Sequence, residues 1–116
     1  MDSRQYNPAS GEVTVSIVGD FCPVNRVEKT VLQGHFDMFK DAKAALLNRD
    51  LVIANLECPL TSETQRIKKS GPNLKAQPRS VELLKYLNVN VAALANNHIL
   101  DYGEPGLKDT IKVLAD

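Results

Sequence analysis

The chain has 116 residues, 43% apolar and 24% charged, with fourteen Lys and Arg balancing fourteen Asp and Glu. That is the length of one domain, burying roughly 65% of its unfolded surface, and the composition excludes collagen-like and strongly disordered classes. Zero net charge leaves no electrostatic footprint of a nucleic-acid binder. No apolar run reaches the roughly 20 residues of a membrane helix, and the opening residues 1–8 lack a signal-peptide core. A cytoplasmic location is therefore expected for the chain as written. Two cysteines, Cys22 and Cys58, are too few for a disulfide scaffold and suit a reducing compartment.

In chain order, residues 1–12 carry Asn, Pro, Ser and Gly and read as a flexible lead-in, leaving 13–116 as the domain. Val13 to Val18 alternates with β-branched residues and stops at Gly19, which predicts a first strand. From Phe36 to Asn48, Phe36, Phe39, Ala42, Leu46 and Leu47 recur near helical spacing, with Lys40, Asp41, Lys43 and Arg49 left for water. Leu51 to Ala54 is a short continuous apolar run, the pattern of a strand buried on both faces. Thr61 to Pro78 has neither period and reads as a long loop over the site. Ser80 to Leu87 has helical spacing with Ser80 as N-cap, and Val89 to Ala95 supplies a third strand. A last helix begins near Glu104-Pro105 and runs through Leu107, Ile111 and Leu114. The order β-α-β-α-β-α predicts an α/β fold, a mainly parallel sheet flanked by helices.

In open α/β sheets ligands collect outside the carboxyl ends of the strands. Three polar clusters stand there: Gly19-Asp20, Asn55-Leu56-Glu57 and Asn96-Asn97-His98. Asp20 is either a hard oxygen ligand or a turn cap. Glu57 follows a buried strand, where charged groups are paired, metal-bound or exposed on a loop. One of Asn96 and Asn97 serves as the turn residue, and the other amide oxygen is free to bind a metal. His98 is a proton donor or phosphate ligand, and Asp101 either orients its ring or caps the final helix. His35 reads as a surface or capping histidine. Lys68 and Lys69 read as a solvated pair, which Lys75 and Arg79 join if an anionic substrate is drawn in. Cys22 is a soft ligand or a small buried residue, and Cys58 reads as structural.

Ile17-Val18-Gly19-Asp20, Ala54 through Thr61, Gly71-Pro72-Asn73-Leu74 and Ala95 through Gly103 resemble the CapA-type capsule-synthesis, or poly-gamma-glutamate biosynthesis, proteins. The match runs in order from Val13 to Leu114. That family is similar to the calcineurin-like metallophosphoesterases. The resemblance implies metal ligands at Asp20, Glu57 and Asn97 for divalent Mn, Zn or Fe, with His98 and Asp101 catalytic. Asn55, Asn96 and Lys75 would bind a phosphoester substrate. Cys22 stands where the superfamily usually has a histidine, and Glu57 where it usually has Asp. Its later histidine ligands and second sheet are expected beyond Asp116, so the chain reads as the N-terminal portion of the domain, with one sheet face uncovered. Dimerisation would cover that face. A noncatalytic assembly module of polymer-synthesis machinery is the alternative; a nucleotide-binding domain lacks its Gly-rich loop after Val18.

Overall fold

The computed structural model describes residues 11–116, so most of the expected lead-in lies outside the described residues. The elements are β1 (Val15–Phe21), α1 (Arg26–Leu32), a 3-10 turn (Asp37–Phe39) entering α2 (Lys40–Leu46), and β2 (Leu51–Leu56). A second 3-10 turn (Pro78–Ser80) then enters α3 (Val81–Tyr86), followed by β3 (Val91–Ala93) and α4 (Gly103–Ala115). The strands form one parallel sheet in the order β1-β2-β3, which is the expected α/β class. The loop from Thr61 to Gln77 holds no helix or strand, as its lack of period predicts; its one isolated bridge joins Leu60 to Ala76.

The elements differ from the sequence reading in several places. Helix α1 was not expected: in its seven residues Val27 and Val31 are the spaced apolar pair, too short a window for periodicity to register. Strands β1 and β2 run past Gly19 and Ala54, because ladder pairing extends to Phe21 and Leu56, whereas β3 is shorter than Val89–Ala95. Ser80 makes no capping hydrogen bond; its hydroxyl is buried without a partner among the described residues. The helix expected over Phe36–Asn48 opens as 3-10 and closes at Leu46. Phe36 stacks on Tyr86 with ring centroids 5.1 Å apart, and Lys43 lies 4.2 Å over the same ring, which docks this segment on α3.

The register of β1 on β2 contains the feature that places the site. Ile17 pairs with Ile53, but the next pairing toward the strand ends is Asp20 with Asn55. Three steps along β1 therefore match two along β2, so one extra residue bulges out between Ile17 and Asp20. Since side chains alternate faces at each step, the bulge returns Asp20 to the face of Asn55. Without it Asp20 would pair with Leu56, whose side chain is fully buried in the core.

The two faces of the sheet are unlike. On one, Val52, Ala54 and Leu56 are completely buried and continue into a cluster with Cys58, Leu60, Ala76 and Leu84. Val81, Val89, Val113 and Leu114 pack against that cluster, so α3 and α4 both cover this face. Thr110 of α4 fixes the approach: its hydroxyl accepts from Leu60 N–H at 2.9 Å and donates to Gly106 C=O at 2.7 Å. On the other face Val15, Ile17 and Val91 are exposed, Ile17 to 78%. The uncovered face expected from the sequence is thus present. No helix of the described residues is long and apolar enough to cross a membrane.

Candidate functional site at the strand ends

The carboxyl ends of the three strands are tied together by amides. Asn55 donates to Asp20 Oδ1 at 2.8 Å and its own Oδ1 accepts from Asn96 at 3.1 Å. Asn96 also donates to Leu56 C=O at 2.9 Å. Its Oδ1 accepts from the backbone N–H groups of His98 and Ile99, each at 3.0 Å. Every hydrogen-bonding function of the Asn96 side chain is therefore spent on holding the turn after β3 against the end of β2. Asn96 is the turn residue of the Asn pair, and Asn97 is left exposed. Asn55 and Asn96, expected to bind substrate, are here engaged with the protein itself.

Beyond that turn, a denser network forms around Asp101. This residue is completely buried and does not cap α4. His98 Nδ1 lies 2.7 Å from Asp101 Oδ2, which also accepts from Leu74 N–H at 2.7 Å. The Lys69 ammonium donates to Asp101 Oδ1. Asp101 C=O accepts from Ile67 N–H at 3.0 Å and from the Asn73 amide at 3.1 Å. Burial pushes the Asp101 carboxyl up, but the hydrogen bonds from Lys69, His98 and Leu74 outweigh it and hold the group below the usual aspartate range. A carboxylate accepts only, so Nδ1 of His98 carries the hydrogen, and in the neutral ring Nε2 is the nitrogen with the lone pair. Nε2 faces Glu57 Oε1 at 4.0 Å, too far for a hydrogen bond.

Asp20, Glu57 and Asn97 stand at this same edge, offering two carboxylates and an amide oxygen, the donor chemistry of a hard divalent cation. Among the described residues, however, no three His, Cys, Asp or Glu side chains are placed around one metal ion, so the set is suited in chemistry and open in geometry. Lys75 lies apart from these groups, donating to Glu63 C=O and sitting 4.8 Å over the Tyr102 ring. His35 is exposed, as its sequence position predicts. Cys58 is buried in the core, and Cys22 packs against it. The hydrogen bond between the two thiols draws Cys22 below the ordinary thiol range and, with burial, pushes Cys58 far above it. Lys69 is the residue the sequence misplaces: it belongs to Asp101 and not to a solvated pair with Lys68, and no local spacing signals a contact made across 32 residues.

A family model described as bacterial capsule synthesis protein PGA_cap matches residues 14–116. The chain belongs to that family. Among PGA_cap relatives, it is 34% identical over 109 residues to the capsule biosynthesis protein CapA of Bacillus anthracis, covering 90% of this chain and 26% of the relative. It is 34% identical over 102 residues to the PGA biosynthesis protein CapA of Bacillus subtilis, covering 85% and 27%. A probable polyglutamine synthesis accessory protein of Mycobacterium tuberculosis is 39% identical over 77 residues, covering 65% and 20%. The chain thus spans about a quarter of the length of the two CapA relatives. The matched region of this PGA_cap chain includes every strand-end motif described above.

Proposed function

We propose that this PGA_cap chain serves capsule or poly-gamma-glutamate synthesis, and that its strand ends carry one share of a divalent-metal site for phosphoester hydrolysis. Asp20, Glu57 and Asn97 would hold Mn, Zn or Fe. The observation that carries the reading is the β1 bulge, which turns Asp20 out of the core to the edge where Glu57, Asn97 and His98 stand. A bound metal supplies charge to a phosphoryl oxygen and an activated water. The chain's own residues do the rest. Asp101 keeps the hydrogen of His98 on Nδ1, and Nε2 serves as the acid-base nitrogen facing the gap toward Glu57. Asn96 holds the His98 backbone, so the imidazole is aimed by a rigid turn.

Hydrolysis of a chromogenic phosphodiester by the purified chain with Mn²⁺ or Zn²⁺ tests this. Metal-dependent turnover abolished by Asp20→Asn, and reduced by about 10²–10⁴-fold in His98→Asn, is the expected result. Equal release by the wild type and Asp20→Asn would overturn it.

The exposed face of Val15, Ile17 and Val91 favours a second reading, a noncatalytic module that docks on polymer-synthesis machinery or on another copy of itself. Sedimentation of the purified chain separates the two: tight self-association without metal or turnover supports this second role.

A further inference from the structure

Lys69 sits in the long loop with its side chain only 19% exposed, and its ammonium meets the fully buried Asp101. It also lies 3.2 Å from His98 Nδ1. That nitrogen is already committed to Asp101, so the lysine's contribution passes through the carboxylate and not directly to the ring. We propose that Lys69 is the positioning residue of this site: paired with Asp101, it keeps that carboxylate in its accepting form, which fixes the hydrogen on His98 Nδ1 and leaves Nε2 bare toward Glu57.

The alternatives to Lys69 are few. The other donors on the Asp101 carboxylate are Leu74 N–H and the His98 ring, and neither brings a permanent charge. Without the ammonium, burial weighs more heavily against the charged carboxylate and favours the neutral acid. That acid must then place its own O–H on an acceptor, and His98 Nδ1 is within reach at 2.7 Å. The hydrogen bond reverses, the ring takes the Nε2–H form, and the nitrogen facing Glu57 loses its lone pair. Lys68, one residue earlier, is exposed, so the loop supplies the charge through one of its two neighbouring lysines only.

This role rests on the reading that His98 is the working side chain, but its test needs neither metal nor turnover. The ring nitrogens of the ¹⁵N-labelled chain report their hydrogens directly at neutral pH, and exposed His35 is a reference in the same spectrum. The wild type and Lys69→Arg are expected to show His98 with its hydrogen on Nδ1, and Lys69→Met to show it on Nε2. A folded Lys69→Met chain that keeps the Nδ1–H pattern overturns the proposal. If that variant does not fold, the wild-type ammonium decides. A Lys69 NH₃⁺ signal exchanging with water far more slowly than the other lysines supports the role, and one averaged with them overturns it. Absence of phosphodiester turnover alongside the expected ring pattern counts against the hydrolytic reading alone.

Discussion

The two halves of the candidate site are built differently. Around Asp101 the protein supplies its own partners: a lysine, an imidazole and a backbone N–H converge on one buried carboxylate, and its carbonyl holds the loop. Around Asp20, Glu57 and Asn97 the side chains reach the strand ends exposed or half-buried and do not close on one another. The first half is a closed hydrogen-bond network whose stability is internal. The second is an open set of oxygen donors, to which the proposed ion would bind. Substitutions should therefore cost folding energy in the first half and binding in the second.

The largest effect is expected at Asp101. Asp101→Ala strands a part-buried lysine and removes the anchor of the loop, and should cost roughly 3–5 kcal/mol in urea unfolding. A loss as small as that of an exposed residue would erase the contrast between the halves. Deleting Val18 takes out the extra residue, so two steps along β1 match two along β2 and Asp20 stays opposite Asn55. A cost of about 0.5–3 kcal/mol is expected there, with any metal binding kept; lost binding would show that the bulge itself, beyond the pairing of Asp20 with Asn55, shapes the site.

Acid sharpens the comparison further. The Asp101 carboxyl lies below its usual range in the folded chain, so its contribution is present above the unfolded aspartate value of about 3.9 and is lost as pH falls through the lower folded value. Stability measured from pH 5 downward should fall more steeply in the wild type than in Asp101→Asn. Parallel curves would deny Asp101 that role. The smallest effects belong to the open half: Asp20→Asn and Glu57→Gln should each change stability by no more than about 0.5 kcal/mol.

The sequence showed where each apolar run gives way to polar residues, and hence Asp20, Glu57, Asn97 and His98, because that switch is a local signal. It offered the pairing of His98 with Asp101, three residues apart, beside a cap of the final helix, and the structure has the pairing. It could not show which Asn of the pair makes the turn, since that depends on Asn55 and Leu56 lying opposite on another strand. The bulge was equally hidden, because counting residues along β1 gives no register until β2 is beside it. Lys69 was hidden for the same reason. Lysines in a polar loop look solvated until the loop folds onto a buried acid.

The central claim is that Asp20, on β1, and Glu57, just after β2, serve one metal ion. Calorimetric titration of the folded chain with Mn²⁺ and Zn²⁺, beside Asp20→Asn and Glu57→Gln, tests it most directly. The account predicts stoichiometric binding that either substitution weakens. Absence of binding to the folded wild type, or binding indifferent to Asp20→Asn, would contradict it.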